Sequence, residues 1–224
     1  MKAMILAAGL GTRLRPLTQT VPKPLIPVKG KPLIVYHLER CRAAGITEVV
    51  INVSYLGHQI EAYLADGSAW GLTIRYSREP EPLDVAGGIR HALPLLGKEP
   101  FWCLSADVYT DLDLFSRPIG SCLPQGIWAH LILVPNPEHH PDGDFGYPAS
   151  AVGDVCVLTN TSPCMTYAGM AFIDPQLLVE CAPADRRVGS VFRAGIERGA
   201  VQGECYHGQW SDVGTPMRLA EIER

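Results

Sequence analysis

What this chain lacks narrows its class before any motif is read. It has no apolar stretch long enough to span a membrane: the run from Met4 to Ala8 stops at Gly9, whereas a spanning helix needs about 20 such residues. The same run lacks a convincing signal-peptide cleavage pattern, so a cytoplasmic protein with no membrane partner is expected. There is no excess of positive charge either. The formal net charge is −4, and nucleic-acid binders usually carry a basic surface, so no nucleic-acid partner is expected. Nor is there a paired-cysteine signature. The seven cysteines, at 41, 103, 122, 156, 164, 181 and 205, are odd in number and none forms Cys-x-x-Cys. Zinc and thioredoxin-like readings therefore lack support, and the thiols read as small, reduced, apolar residues.

Other absences concern organisation. No internal repeat, linker or low-complexity tract interrupts the sequence. The last residues carry no hexapeptide repeat of the kind that builds a parallel β-helix, so residues 1–224 are expected to form a single domain without a C-terminal β-helix. That removes one oligomerisation device, and a monomer is expected. With 47% hydrophobic and 19% charged residues over 224 positions, the chain can bury a sizeable core and is not a disordered polyelectrolyte.

The most informative stretch that is present runs from Met4 to Pro27. An apolar strand leads into Gly9 and Gly11, Arg13 follows inside the loop, and Lys23 stands between Pro22 and Pro24. Glycines let a backbone bend tightly and aim several N–H groups at one phosphate. Two cations then add charge where a triphosphate carries it. A dinucleotide-binding G-x-G-x-x-G would need a third glycine where Leu14 stands, and Gly11-Thr12-Arg13 does not supply the Gly-Lys-Ser/Thr of a P-loop. Gly9 and Gly11 alone fit a plain β-to-α turn equally well. Arg13, Pro16, Lys23 and Pro24 at these spacings move the reading to a phosphate loop.

Strand and helix patterns alternate through the first half. Lys2–Ala7, Glu48–Val53, Leu72–Tyr76 and Phe101–Ser105 read as strands. Helices are expected from Pro32 to Gly45, over Gly57–Leu64, and from Gly87-Gly88 through Leu95 after a Pro/Glu-rich loop at 77–86. Such alternation implies parallel strands with crossover helices, and ligands then lie beyond the strands' carboxyl ends. The second half is less regular: strands at Trp128–Val134, Thr166–Ile173 and Val201–His207, a long loop at 136–148, and helices at Pro175–Cys181 and Val188–Gly199. A terminal helix should start at Pro216 with Thr215 as its N-cap.

Asp107 ends one strand on the presumed ligand side, and Asp212 follows a strand-like segment over a hundred residues later. Standing alone, each reads as a solvated aspartate or helix cap. Converging, they would suit Mg²⁺, which prefers hard oxygen ligands plus nucleotide phosphates. No convincing Ser/His/Asp or Cys/His set is present, which fits a reaction whose nucleophile is already a phosphate anion. His139-His140 is expected to serve loop packing or sugar contact rather than a metal, because neighbours on an extended strand point to opposite sides. Trp210 is expected to pack and orient the Asp212 loop.

Taken together, these motifs resemble the sugar-phosphate nucleotidyltransferases, and most of all the short bacterial ones of the N-acetylmuramate 1-phosphate uridylyltransferase type. The resemblance covers nearly the whole length. Besides the first loop it includes Gly30-Lys-Pro-Leu-Ile-Val-Tyr-His, Ile51-Asn52, Leu56-Gly57, Tyr76-Ser77 through Gly87-Gly88-Ile89, His139-His140, Gly143-Asp144-Phe145 and Gly208-Gln-Trp-Ser-Asp-Val-Gly-Thr. It implies an α/β fold: a single-domain, Rossmann-like three-layer sandwich around a mostly parallel sheet. It implies Asp107 and Asp212 as Mg²⁺ ligands, with Arg13 and Lys23 on the phosphates. Ala8, Gly9, Gly11, Thr12, Glu79 and Gly87 would bind the nucleotide, and Ser105, Asp144 and Gly169 would face the sugar. The implied substrates are a nucleoside triphosphate, UTP favoured, and a sugar 1-phosphate, with N-acetylmuramate 1-phosphate favoured, in peptidoglycan recycling.

Two departures stand out. Ser105-Ala106-Asp107 replaces the usual Asn-Gly-Asp, which shortens the sugar-side hydrogen-bonding group and requires a negative φ at Ala106. Asp84-Val85-Ala86-Gly87-Gly88 replaces Glu-Thr-Gly-Gly-Gly. A Glu79 carboxylate would accept from the N3–H of uracil or from the N1–H and amino group of guanine, so the base stays open between UTP and GTP. Three alternatives remain: GTP with a mannose or heptose 1-phosphate, dTTP or UTP with glucose 1-phosphate, and a silent nucleotide-sugar-binding regulator.

Overall fold

Side-chain parity along the first strand sets the layering. In a computed structural model of the protein, which describes residues 1–114, 122–148, 155–161, 163–181 and 186–224, β1 (Lys2–Leu6) is buried on both faces. Ala3 and Ile5 face one cluster and Met4 the other. The parity repeats in β4 (Glu48–Val53), where Val49 and Ile51 oppose Val50, and in β6 (Phe101–Ser105), where Trp102 and Leu104 oppose Phe101 and Cys103. A strand apolar on both faces must be covered on both, and helices do this. Helices α1 (Leu33–Ala43) and α2 (Gly57–Leu64) cover one side through Ile34, Leu38 and Ile60. Helices α3 (Asp84–Leu96), α4 (Pro175–Glu180) and α5 (Val188–Glu197) cover the other through Ile89, Leu177 and Phe192. The result is a three-layer α/β/α sandwich.

The remaining strands are β2 (Pro27–Val28), β3 (Lys31–Pro32), β5 (Thr73–Arg78), β7 (Val108–Thr110), β8 (Ala129–Val134), β9 (Phe145–Gly146), β10 (Cys156–Val157), β11 (Cys164–Ile173), β12 (Val201–Cys205) and β13 (Trp210–Asp212). The main sheet runs β10-β12-β8-β11-β6-β1-β4-β5, and β9 pairs with β11 off this path. The half built from the regular alternation, β6-β1-β4-β5, is parallel throughout. β12 is also parallel to β8, whereas β11 enters antiparallel between β6 and β8. Its pairing with β8 shifts register between Tyr167 and Ala171, around Gly169 at φ +76°. A residue in that conformation is most easily glycine, and such a bulge bends its strand locally.

Boundaries differ from expectation in three informative places. The helix expected from Gly87-Gly88 begins earlier, at Asp84, which adopts φ +60° and accepts from Val85 N–H. The 136–148 loop contains β9, whose Phe145 is buried against Tyr167 and Phe192. β7 and β13 are too short to show a period, and together they form a separate antiparallel ribbon. Thr215 caps the last helix, α6 (Pro216–Glu223), as expected, its hydroxyl accepting from Arg218 N–H. No helix among the described residues is long and apolar enough to cross a membrane.

Candidate active site

The cleft opens at the carboxyl ends of β1, β4 and β6, where a sheet of this kind leaves room for ligands. It holds about 440 Å³ and is lined by Ala8–Arg13, Lys23, Asn52, Glu79, Asp84 and Ser105–Asp107, among others. A second cavity of about 350 Å³ continues from it, sharing Arg13, Ser105 and Asp107. That one adds His139, His140, Tyr167, Gly169, Trp210 and Asp212. Arg13 therefore stands at the junction, and the shape suits two joined ligands.

The first loop owes its form to local sterics. Gly11 has φ +64°, and a Cβ there would sit 2.9 Å from Thr18 Cγ2. Thr18 in turn donates its hydroxyl to Gly11 O at 2.7 Å, closing the loop on itself. The strand end feeding the loop is fixed by Asn52, whose Oδ1 accepts from Ala7 N–H at 2.8 Å. Asn52 Nδ2 then donates to Glu79 Oε1 at 2.7 Å, and Leu83 N–H donates to Glu79 Oε2 at 3.0 Å. Glu79 is thus buried, at 6% exposure, and not a solvated loop residue. It borders the cleft with both oxygens already accepting, and it ties the loop before α3 to β4.

Asp107 and Asp212 meet because a backbone ribbon brings them together. Asp212 pairs in register with Val108, and Val213 N–H donates to Asp107 O at 2.8 Å. Both carboxylates border the second cavity. Each is held by a cation. Lys23 Nζ lies 2.5 Å from Asp107 Oδ2, and Arg218 Nη1 donates to Asp212 Oδ1, which also lies 3.3 Å from His139 Nε2. Among the described residues these ion pairs use one oxygen of each carboxylate and leave the other. Two hard oxygen donors, completed by phosphate oxygens, are the donor set Mg²⁺ takes. No cluster of three or more potential ligands occurs among the described residues, so nucleotide oxygens would have to complete the coordination.

The sugar-side residues divide. Ser105 and Gly169 border the second cavity and touch, since a Cβ on Gly169 would lie 3.0 Å from Ser105 Cβ. Ala106 is buried and is not among the positive-φ residues, and its N–H donates to Leu6 O at 3.1 Å, so the extra methyl costs no strain. Asp144 does not line either cavity. It accepts from Tyr167 N–H at 2.8 Å and lies 3.2 Å from His140 Nε2, which places it behind His140. Residues 138–139 form a turn, and both histidines border the second cavity. The backbone is not extended there, so the two side chains need not point to opposite sides. Trp210 borders the cavity and donates Nε1–H to Ala168 O at 2.9 Å.

Gly87 lies away from both cavities, at the start of α3. Its neighbour Gly88 is the glycine under pressure: a Cβ there would lie 2.5 Å from Glu79 Oε1 and 2.9 Å from Asn52 Nδ2. Sequence reading named Gly88 and Asn52 only as motif positions and missed the network that joins them to Glu79. The available signal was a polar Asn52 inside the buried, otherwise apolar run at 49–53. Arg218 was also passed over, and nothing in its surroundings along the chain singles it out.

Beneath the site, His37 of α1 is fully buried, with Nδ1 3.1 Å from Arg40 Nη1. Its Nε2 makes no hydrogen bond of normal geometry among the described residues, although the Val108 and Ser105 backbone lies near enough to oppose, weakly, the loss of its proton. Burial, reinforced by the Arg40 charge and only partly opposed by Asp107, lowers its pKa to about 3. It is neutral throughout the working range. Burial also pushes the Tyr167 hydroxyl well above its ordinary value, so that side chain offers a neutral ring and hydroxyl.

Comparison with known proteins identifies the family. The Nucleotidyl transferase family matches residues 2–141. The N-acetylmuramate alpha-1-phosphate uridylyltransferase of Neisseria meningitidis serogroup B is 48% identical over all of this chain and 97% of its own length. The enzyme of that name from Caulobacter vibrioides is 31% identical over 99% of this chain and 95% of its own. A UDP-glucose pyrophosphorylase from Acinetobacter baumanii superposes with a TM-score of 0.81 over 99% of this chain and 91% of its own, at 17% identity, which speaks to the fold alone. Strand parity, cleft position and two full-length relatives lead to one assignment: the chain belongs to the nucleotidyl transferase family, as a sugar-phosphate nucleotidyltransferase.

Proposed function

We propose that the protein transfers the uridylyl group of UTP to N-acetylmuramate 1-phosphate, giving UDP-N-acetylmuramate and pyrophosphate, with Mg²⁺ as cofactor, in the cytoplasm, for peptidoglycan recycling. The observation that carries the reading is Arg13 at the junction of two joined cavities, with Lys23–Asp107 on one wall and Asp212 across the ribbon. The sugar comes from the two full-length relatives, whose names state it.

The chain's own groups have distinct tasks. Loop amides from Ala8 to Thr12 bind the triphosphate, and Arg13 stabilises charge on the departing pyrophosphate. A sugar-phosphate oxygen attacks the α-phosphorus in line, and no general base is needed because that oxygen is already anionic. Lys23 holds the α-phosphate or the incoming phosphate, exchanging its contact with Asp107 for one with substrate. Ser105, His140 and the bulged backbone at Gly169 bound the sugar. Asp107 and Asp212 would hold Mg²⁺, which when bound neutralises phosphate charge and aligns the displacement.

The test is a matrix of UTP, dTTP and GTP against N-acetylmuramate, N-acetylglucosamine, glucose and mannose 1-phosphates, read by pyrophosphate release. UTP with N-acetylmuramate 1-phosphate should give the highest kcat/KM. Preference for any sugar without the lactyl ether overturns the substrate assignment. Nucleotide binding by calorimetry with no turnover on any pair overturns the enzymatic one.

A further inference from the structure

Arg218 is buried where a cation needs a strong reason to be. Its side chain is 9% exposed, and the acidic group it meets among the described residues is Asp212. The first turn of α6 is built around it. Thr215 Oγ1 accepts from Arg218 N–H at 3.3 Å, and a Cβ on Gly214 would collide with the guanidinium. The same Nη1 lies 2.7 Å from His139 Nε2. A guanidinium has no lone pair, so it donates and His139 accepts. One buried arginine thus joins the terminal helix, the carboxylate and the loop bordering the sugar side.

The electrostatic consequence concerns the pair of carboxylates. Asp107 is matched by Lys23 and Asp212 by Arg218, so the nucleotide-free pair is formally neutral, and Arg13 adds a further positive charge nearby. Guanidinium groups keep their charge across the working pH range. A free divalent cation approaching this cluster meets little net attraction and two resident cations. A triphosphate reverses that balance.

We propose that Arg218 is the resident counter-ion of Asp212: it fixes the carboxylate through Oδ1, presents Oδ2, and keeps the pair from holding a free divalent cation until nucleotide phosphates supply negative charge. This rests on Asp107 and Asp212 being the metal pair. Arg218 is a positioning residue, acting through Asp212 without touching substrate. A purely structural staple would not restrain metal binding, so the two roles separate by experiment.

Mn²⁺ binding is measured by electron paramagnetic resonance, with and without a non-hydrolysable UTP analogue. The nucleotide-free wild type should bind Mn²⁺ weakly. Arg218→Met should tighten nucleotide-free binding about tenfold or more, as removal of a like charge within a few ångströms predicts, while Arg218→Lys should keep the wild-type weakness. Unchanged or weaker binding in folded Arg218→Met overturns the inference. If that variant does not fold, the wild type still decides: Mn²⁺ held as tightly without the analogue as with it overturns the inference equally. Asp212→Asn should abolish analogue-dependent binding, and its failure to do so brings down the metal reading itself and this inference with it.

Discussion

Replacing Asn52 with leucine is the perturbation whose cost follows most directly from the structure. Asn52 is 4% exposed and joins the end of β1 to the loop before α3 through one accepted and one donated hydrogen bond. Leucine fills a similar volume but leaves Ala7 N–H without its acceptor, and Glu79 Oε1 without the amide at 2.7 Å. A buried unsatisfied N–H costs about 1–3 kcal/mol, and a lost hydrogen bond to a charged group about 1.5–3 kcal/mol. Since the two share one side chain, about 3–5 kcal/mol in total is expected. For a chain of this size that corresponds to a fall in Tm of about 6–20 °C. Thermal unfolding by circular dichroism measures it, and a double-mutant cycle with Glu79→Leu isolates the pair. The double variant should lose about 1–3 kcal/mol less than the sum of the single ones, because an apolar pair leaves no carboxylate stranded. A Tm within 2 °C of wild type (well under the ~6 °C minimum worked above), or strictly additive losses, refutes the reasoning.

Asp107→Asn and Asp212→Asn should each lower kcat by about 10²-fold or more with the fold intact, measured by pyrophosphate release under saturating Mg²⁺; near-normal turnover in both removes them from the mechanism. Gly169→Ala forces a Cβ at φ +76° to within 3.0 Å of Ser105. It should cost about 1–3 kcal/mol of stability and raise KM for the sugar 1-phosphate more than for the nucleotide, so an equal rise in both counts against the sugar-side placement. His37 is buried in its neutral form with a pKa lowered to about 3. The folded state therefore binds fewer protons than the unfolded one below the ordinary value of 6.5, and stability present above that pH is lost as pH falls toward 3. Urea melts of His37→Gln across that window should show a shallower acid-side loss than wild type, and parallel curves refute the account. Burial pushes the Cys41 and Cys103 thiols up to about 12, so neither should react with Ellman's reagent at pH 8 in the folded state, whereas exposed Cys122 should. Mass spectrometry of the labelled sites reads the difference.

How far each part was legible depended on whether its cause was local. The spans Glu48–Val53, Gly57–Leu64 and Phe101–Ser105 were read to the residue, because apolar periodicity and flanking glycines are local properties. The start of α3 was misplaced because Asp84 takes a positive φ that propensity alone would assign to a glycine. That both histidines border one cavity was not foreseen, because their geometry depends on a turn that no periodicity announces. Asp144 was drawn to the sugar by its motif, whereas its partners are Tyr167 N–H and His140.

By itself, then, the order of residues determined the alternating strands and helices and the cation-bearing loop, since each depends on spacing along a few neighbouring turns, while the layers and the reaction class came from the resemblance of the whole chain to a known family. Only the tertiary structure decided that residues 107 and 212 share one ribbon, that Gly88 rather than Gly87 lies under Glu79, and that Arg218 reaches back to Asp212. The first relation joins segments over a hundred residues apart, while the other two link near neighbours in sequence through turn geometry that no periodicity announces. Their free energy comes from burying charge against charge and pairing short strands, which takes effect only after the sheet has brought the segments together.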